Sequence, residues 1–171
     1  MKYTTTHTIC YSPTRTSAEV AAHVARGTAP ERIVETDLTC DRDTRPIRIG
    51  NELAVIAALV YAGRIAPVAR ERFSRLQGEG TPAILLAVYG NRDYEDALIE
   101  LRDLAVSRGF VPLAAGAFIG EHSYSRPGMP VAEGRPDRSD LAAAESFGRQ
   151  AAEKLASVSS PADLPAVTVP G

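Results

Sequence analysis

The sequence predicts a doubly wound, three-layer α/β domain built on a five-stranded parallel sheet of strand order 2-1-3-4-5. Five apolar, strand-like runs alternate with helical patterns, which is typical of a parallel sheet covered by helices on both faces. The third and fourth runs are almost wholly apolar, as the central strands of such a sheet should be. The chain has 171 residues, 44% hydrophobic and 23% charged, so its length and composition suit one folded domain without disulfide support.

Each strand-like run is bounded by turn residues or by the start of a helical pattern. The strands are predicted at residues 7–12, 33–38, 53–61, 83–89 and 110–119. The polar residues 39–52 include Pro46 and show no helical period, so no helix is predicted between the second and third strands. The order of the remaining elements then alternates strand and helix along the chain.

The first two helices have clear start signals. Thr16 and Glu19 form a T-x-x-E pattern, which predicts a capping box at the start of the first helix, and Gly27 is predicted to end it. Pro67 is predicted to be the first residue of the second helix, which is expected to stop near residue 78. The apolar residues at helical spacing in this second helix are Ala69, Phe73 and Leu76.

The later helices are bounded by Asp, Ser and Gly. Asp93 is predicted to cap the third helix and Gly109 to end it, and the last helix is predicted to begin near Asp137 or Ser139. The inward-facing residues of the third helix are Leu98, Leu101 and Ala105. Those of the last helix are Leu141, Ala144, Gly148, Ala151 and Leu155. From residue 159 onward, the Ser/Pro-rich tail is expected to be a linker or a frayed end.

Composition and charge argue against several classes of function. Cys10 and Cys40 lie far apart and form no C-x-x-C pair, so zinc, thioredoxin-like and iron–sulfur sites lack ligands. The formal net charge of −2 gives no reason to expect a nucleic-acid partner. No apolar run reaches the roughly 18 residues that span a bilayer, and the N-terminal residues turn polar at once. We therefore expect a cytoplasmic protein with no metal, nucleic-acid or membrane partner.

The loop at residues 12–17 carries four hydroxyl side chains, those of Ser12, Thr14, Thr16 and Ser17. The N–H groups at a helix start are unpaired and lie at the positive end of the helix dipole, so an oxyanion fits there. Hydroxyls donate hydrogen bonds without the lysine and magnesium ligand that phosphoryl transfer needs, which suits a retained phosphate monoester. A plain Ser/Thr-rich N-cap is the alternative interpretation.

Other phosphate motifs are absent or misplaced. There is no Gly-Lys pair, hence no Walker loop, and the G-x-G-x-x-A pattern at 78–83 precedes a strand instead of following one. Cys10 and Arg15 are similar to the C-x5-R loop of low-molecular-weight phosphatases, but their spacing is C-x4-R and Cys10 falls within the strand pattern. A phosphatase is therefore disfavoured.

Two further loops on the same predicted sheet edge join a tyrosine to a glycine. The segment Tyr-Ala-Gly-Arg at 61–64 follows the third strand, and Tyr-Gly-Asn at 89–91 follows the fourth. Tyrosine faces stack on flat aromatic ligands, and glycines let the backbone approach a ligand's polar edge. Ligands of such sheets bind at the carboxyl ends of the strands beside the topological switch point. The three loops together therefore favour a ligand that joins a phosphate to a flat aromatic ring.

Residues 11–17 resemble the phosphate loop of flavodoxins, and residues 60–67 and 88–97 resemble the two loops that flank FMN in that family. The segments at 61–64 and 120–124, the latter Gly-Glu-His-Ser-Tyr, are similar to segments of the flavodoxin-like half of bacterial ferredoxin–flavodoxin fusion proteins. The resemblance covers roughly residues 5–156. It implies a flavodoxin-like, FMN-binding domain at 1–157, followed by a Ser/Pro-rich C-terminal tail at 158–171.

By this resemblance each loop holds one part of FMN. The residues implied to contact the phosphate are Ser12, Thr14, Arg15, Thr16 and Ser17. Those implied to contact the isoalloxazine ring are Tyr61, Ala62 and Gly63 on one side, and Tyr89, Gly90, Asn91 and Tyr94 on the other. The backbone near Gly63 is implied to meet flavin N5. No side chain is implied to act as an acid or a base, so no catalytic residue is expected.

The sequence departs from the flavodoxin pattern at Arg15, where the family usually has glycine. If this position requires a positive φ, arginine strains it by roughly 1–2 kcal/mol. If it does not, the guanidinium is free to add a bidentate phosphate contact. The chain is also nearly neutral, whereas typical flavodoxins are strongly acidic around the flavin. His122, just past the fifth strand, is either a flavin or substrate contact or a hydrogen-bonded loop histidine.

The resemblance implies a redox flavoprotein; the function expected first is that of an electron-transfer protein, and two alternatives are kept. An electron-transfer protein would pass electrons through an exposed flavin edge to a redox protein partner, ferredoxin-like in the fusion proteins. An FMN-dependent NAD(P)H oxidoreductase would need room for nicotinamide over the flavin, so Tyr94 or Tyr124 lying over the ring would count against it. A flavin-free binding or regulatory module, suggested by Arg15, would keep only the fold.

Overall fold

Five parallel strands form the central sheet. The computed structural model describes residues 1–170, whose strands are β1 (Thr5–Tyr11), β2 (Arg32–Asp37), β3 (Ile47–Ile49), β4 (Leu53–Tyr61), β5 (Arg64–Ile65), β6 (Leu76–Gly78), β7 (Thr81–Tyr89) and β8 (Phe110–Ile119). The helices are α1 (Thr16–Gly27), α2 (Pro67–Phe73), α3 (Ala97–Ser107) and α4 (Arg138–Ala156). The sheet order β2-β1-β4-β7-β8, with all neighbours parallel, confirms the five predicted strands and their order 2-1-3-4-5.

The side chains of the central strands alternate between two apolar layers. Ile9, Ile56 and Leu85 are buried on the face that α2 and α3 cover. Val55 and Leu86 are buried on the opposite face, where α1 and α4 pack. Because β4 and β7 are covered on both sides, their sequences are continuously apolar, and this is why both strands could be predicted.

Helices α1 and α4 approach each other so closely that glycine is needed on both. A Cβ atom on Gly27 would lie 2.0 Å from the backbone oxygen of Glu145, and one on Gly148 would lie 2.0 Å from that of Val24. Gly27 is the last residue of α1, as predicted, but its backbone has no positive φ. Its role is therefore helix–helix contact.

The predicted capping box at the start of α1 does not form. Arg15 occupies the N-cap position and gives no side-chain cap. The cap comes instead from Ser12, whose Oγ accepts a hydrogen bond from the N–H of Ala18 at 3.1 Å. A left-handed backbone at Arg15 turns the chain into the helix at Thr16, so the side chain of Thr16 is already past the capping position.

The starts of the two later helices differ in how well they could be predicted. Asp93 does not cap α3, which starts further along the chain; its Oδ1 accepts from the N–H of Glu95 at 3.1 Å. Asp137 caps α4 as predicted, accepting from the N–H groups of Ser139 and Asp140.

None of the helices within residues 1–170 combines the length and the hydropathy that a bilayer-spanning segment needs.

Three short strands were not predicted. β3 and β6 form a separate parallel pair in which Ile47 is opposite Leu76, and β5 pairs antiparallel with the end of β4. The prediction that helix α2 continues through Leu76 was therefore wrong, because the helix ends at Phe73 and Leu76 lies in β6. Leu76 is buried in the same core layer as Phe73, so its apolar character reflects burial and not helical period.

The C-terminal tail packs against the domain. After a 3-10 turn at Pro161–Asp163, Leu164 packs against the core layer beneath α1 and α4. Val169, only 7% exposed, packs with Leu98 of α3 on the opposite face. The tail therefore crosses the edge of the sheet at β8, and the expectation of a linker or frayed end is corrected for these residues. Gly171 lies outside the described residues.

Candidate functional site

Loops meet at the sheet edge formed by the carboxyl ends of the central strands. They follow β1, β4, β7 and β8, which is where doubly wound sheets bind ligands. The N–H of Gly120, just after β8, donates to the oxygen of Tyr89 at 2.8 Å. A Cβ atom on Gly120 would lie 2.5 Å from Cγ2 of Thr16. The structure thus brings the 12–17 loop beside the loops that follow β7 and β8.

Ser12 holds the 12–17 loop in place. Its side chain is buried, and its N–H donates to Oγ1 of Thr39 at 2.8 Å. Its carbonyl oxygen accepts from the N–H of Arg15 at 3.0 Å, and its Oγ already accepts from Ala18. The hydrogen bonds of Ser12 therefore fix the loop and the first turn of α1.

Three residues of the loop, Thr14, Thr16 and Ser17, present backbone donors that the protein itself does not use. Within residues 1–170, the N–H groups of Thr14, Thr16 and Ser17 have no acceptor, and the Ser17 hydroxyl has no hydrogen-bond partner. The hydroxyls of Thr14 and Thr16 are hydrogen-bonded to each other at 3.1 Å, so one of the two donates within the loop. Helix α1 has 12 residues, and its positive dipole end points into this cradle. The arrangement fits an oxyanion such as a phosphate.

The two alternatives for Arg15 are resolved by its backbone and its partner. Its φ is 68°, so the position does require the left-handed conformation. Its Nη1 donates to Oδ2 of Asp37 at 3.0 Å, which directs the guanidinium toward the end of β2. Burial raises the pKa of Asp37, but hydrogen bonds from Thr39 and the charge of Arg15 bring it below its usual value overall.

Cys10 is not an activated thiol. It lies within β1 and is buried, and its burial together with the charge of Asp37 raises the pKa of the thiol to about 11. A thiol with that pKa is protonated at neutral pH and is a poor nucleophile. The Cys10 thiol therefore does not have the properties of a phosphatase nucleophile, and its spacing from Arg15 has no catalytic meaning in this structure.

A second part of the site is a depression of about 190 Å³ between the loops that follow β4, β7 and β8. Five of its lining residues were predicted from the sequence: Tyr61, Ala62, Gly63, Tyr89 and Gly90. The others are Val60, Arg92, Asp93, Glu95, His122, Ser123 and Tyr124. Three tyrosines thus line one small depression, and two of them are largely exposed, Tyr61 at 64% and Tyr124 at 70%.

The loop after β4 is the two-residue turn of a β-hairpin that β4 forms with β5. Tyr61 pairs with Arg64, and the turn residues Ala62 and Gly63 have positive φ values of 51° and 73°, as a type I′ turn requires. A carboxylate on α3 holds the hairpin: Glu100 accepts from Nε of Arg64 at 3.2 Å and from the N–H of the next residue at 3.0 Å. The hairpin is therefore tied to the body of the domain.

Comparison with known proteins identifies this architecture. No protein-family model and no curated protein sequence matches the chain. Among solved structures, an NADH:FMN oxidoreductase in its apo form aligns with a TM-score of 0.61 and 16% identity, covering 94% of this chain and 93% of its own. A flavodoxin from the domain Archaea aligns with a TM-score of 0.55 and 10% identity, covering 89% of this chain and 99% of its own. A WrbA-like flavodoxin from Agrobacterium tumefaciens aligns with a TM-score of 0.57 and 14% identity, covering 88% of this chain and 96% of its own.

The chain has the flavodoxin-like fold. The alignments run through nearly the whole of both chains, so the likeness concerns the complete sheet and its helices. At this level of identity the likeness establishes the architecture and carries no residue roles. What this flavodoxin-like chain does must therefore be argued from the side chains at its own sheet edge.

Two predicted ring contacts fall outside the depression. Asn91 is an exposed turn residue with a φ of 58°. Tyr94 packs edge-on against Tyr89, with ring centroids 5.4 Å apart, and against the cluster of Ala87, Leu98 and Val169. Its ring therefore packs on a cluster that includes a tail residue of this flavodoxin-like domain and does not line the depression.

Two lining residues lie directly on the glycines that were predicted to approach a ligand. A Cβ atom on Gly63 would lie 2.1 Å from Oε2 of Glu95, and one on Gly90 would lie 2.6 Å from Cδ2 of His122. His122 is held in turn, since its Nδ1 accepts from the N–H of Tyr124 at 3.0 Å. Glu95 could not be predicted, because nothing in its local sequence distinguishes it from its acidic neighbours. His122 was singled out by its position after the fifth strand.

Proposed function

We propose that this chain is an FMN-binding, flavodoxin-like electron-transfer protein. The observation that carries the proposal is the set of unused donors at the start of α1, the N–H groups of Thr14, Thr16 and Ser17, next to a tyrosine-lined depression on the same sheet edge. FMN has a phosphate at one end and a flat aromatic ring at the other. The spatial order of cradle and depression suits that combination.

The phosphate would bind in the 12–17 loop. Thr14, Thr16 and Ser17 supply backbone and hydroxyl donors, and the helix dipole stabilises the negative charge. Ser12 would act by fixing the loop, and Arg15 by neutralising Asp37 close to the anion. This assignment keeps all five residues predicted for the phosphate loop but gives two of them supporting roles.

The ring would lie in the depression, against Tyr61 or Tyr124, with its polar edge toward the glycines at 63 and 90 once the side chains of Glu95 and His122 that lie against them have moved. Asn91 and Tyr94, also predicted, would then act indirectly, by shaping the loop that begins after Tyr89. When bound, the flavin supplies one- and two-electron redox chemistry, and the protein supplies binding, orientation and electrostatics. No acid or base side chain is needed for that role.

The proposal includes a protein partner that takes or gives electrons at the exposed rim of the depression. A ferredoxin-like protein is the partner suggested by the similarity to ferredoxin–flavodoxin fusion proteins in the segments at 61–64 and 120–124. We also propose that the protein works in the cytoplasm with residues 1–157 as its FMN-binding domain. Cys10 and Cys40 are both free thiols, which suits a reducing compartment.

Titration of the purified protein with FMN tests the proposal. We expect quenching of flavin fluorescence, a shifted visible absorption band and a rise in the melting temperature that increases with FMN concentration. Riboflavin, which lacks the phosphate, is the matched control ligand and should bind far more weakly. If FMN gives none of these three signals, the flavin proposal is wrong and the flavin-free module is favoured.

A second candidate is an FMN-dependent NAD(P)H oxidoreductase. One observation favours it, since Tyr94 does not line the depression, whereas Tyr124 does line it and counts against this candidate. One solved structure of the same fold is an NADH:FMN oxidoreductase. Steady oxidation of NADH or NADPH by the FMN-loaded protein would support this candidate over the carrier, and its absence would exclude it.

A further inference from the structure

The side chain of Glu95 lines the depression and lies against Gly63. Its carboxylate lies against Gly63 so closely that a Cβ atom added to that glycine would meet Oε2 at 2.1 Å and the carboxyl carbon at 2.5 Å. Gly63 is one of the two glycines predicted to approach the polar edge of a flat ligand. In this structure, the side chain of Glu95 covers it.

The backbone of Glu95 directs this side chain toward Gly63. Its φ is 41°, a left-handed value that is uncommon for a residue with a side chain, and its N–H is fixed by a hydrogen bond to Oδ1 of Asp93 at 3.1 Å. The carboxylate itself has no ion pair or hydrogen bond within residues 1–170. The loop therefore sets where the side chain starts, and no partner holds the carboxylate there.

We infer that Glu95 is a displaceable cover that lowers the affinity of the depression for a flat ring. The inference rests on the proposed FMN site and adds a residue that limits access to it. A side chain that blocks the site for part of the time weakens binding in proportion to the fraction of molecules that are open. Because Glu95 is exposed and its carboxylate has no partner, a change of rotamer is sufficient to move the carboxylate away from Gly63. Only the Cβ atom of Glu95, 2.9 Å from the position of a Cβ atom added to Gly63, then stays beside the glycine.

Truncation of the side chain tests the cover. If the site is covered about nine-tenths of the time, Glu95→Ala should bind FMN about tenfold more tightly than the unmodified chain. Glu95→Gln keeps the shape without the charge and should stay within about threefold of the unmodified chain. Asp96→Ala removes a neighbouring exposed carboxylate that makes no cap hydrogen bond and serves as the control for charge. Glu95→Ser is a second truncation, measured in the same fluorescence titration and checked by thermal melting.

The outcomes separate the cover from the FMN site itself. The cover is supported if Glu95→Ala and Glu95→Ser bind FMN more tightly than the unmodified chain while Glu95→Gln and Asp96→Ala do not. FMN binding by Glu95→Ala when the unmodified chain shows none supports it as well. Equal affinity of Glu95→Ala and the unmodified chain overturns the cover and leaves the FMN site standing. A gain by Glu95→Gln as large as that of Glu95→Ala also overturns it, because charge and not bulk would then control access. Binding by no variant overturns both proposals.

Discussion

At the residue scale, Ser17 and Ser12 lie at the two ends of one loop and have different hydrogen bonds. The Ser17 hydroxyl has no partner within residues 1–170, whereas Ser12 Oγ caps Ala18. We expect Ser17→Ala to weaken FMN binding about tenfold or more, the loss of one hydrogen bond to a charged group, and to leave riboflavin binding unchanged. Fluorescence titrations with both ligands measure this difference.

Ser12→Ala is the matched control for that variant. It should lower the free energy of unfolding by about 1 kcal/mol, because the N–H of Ala18 loses its cap. Ser17→Ala should leave stability nearly unchanged. Equal loss of FMN and riboflavin affinity in Ser17→Ala would show that the loop does not bind the phosphate.

Arg15 offers a test of backbone strain. Its φ of 68° suits glycine, so Arg15→Gly should raise the free energy of unfolding by about 0.5–1 kcal/mol, after the greater unfolded-state entropy of glycine is subtracted. Arg15→Ala removes the same ion pair with Asp37 but keeps the strain, so it should give no gain. Urea unfolding of the three proteins gives the comparison. A gain in both variants would place the cause in the ion pair.

The site residues show which features of a loop can be predicted from sequence. The hydroxyl-rich loop and the two Tyr-Gly pairs were recognisable because strand ends of a parallel sheet meet at one edge. The direction of Tyr94 and the position of Glu95 were not. Both follow positive φ values, at Asn91 and at Glu95 itself, which change where the loop side chains point. Sequence patterns do not specify such values for residues with side chains.

At the scale of elements, the contact between α1 and α4 depends on glycine. Gly148→Ala would place a Cβ atom 2.0 Å from the oxygen of Val24 and push the helices apart. We expect it to lower the free energy of unfolding by about 1–3 kcal/mol, although alanine favours a helix over glycine. A Cβ atom on Gly50 would have nothing within 4 Å, so Gly50→Ala should have little effect. Similar losses in the two variants would contradict the close contact.

Element boundaries were predictable where the signal is local and not where it depends on the fold. Asp137 caps α4 through its immediate neighbours, and the sequence there predicted the start. Helix α1 is capped by Ser12, which lies before the turn that leads into the helix. Leu76 lies in a strand because it pairs with β3, which comes from a distant segment of the chain. Apolar residues of a short buried strand and of a buried helix turn look alike in sequence.

At the scale of the whole molecule, the tail closes the open edge of the sheet beside β8. Val169→Asp would put a charge among Ala87, Leu98 and Tyr94 and should lower the free energy of unfolding by about 2 kcal/mol. Val106→Asp changes a valine that is 53% exposed, so it should change the free energy of unfolding by less than about 0.5 kcal/mol. Chemical unfolding of both variants distinguishes a docked tail from a detached one, for which the two would behave alike.

The flavodoxin-like architecture could be predicted because its information is distributed over the whole chain. Continuous apolar runs at β4 and β7, alternation with helices, and connections of suitable length all indicate the same sheet. The docked tail could not be predicted, because Val167 and Val169 sit among residues typical of a linker. Only the gap beside β8 and α3 makes their burial favourable.

The most direct test of the central claim is an amide-resolved NMR titration of the isotope-labelled protein with FMN. We predict the largest shifts at the N–H groups of Thr14, Thr16 and Ser17, with a second group at Gly63 and Gly90. Titration with inorganic phosphate should move the first group alone. Shifts that leave residues 14–17 unmoved while FMN binds elsewhere would contradict the assignment of this loop as the phosphate site.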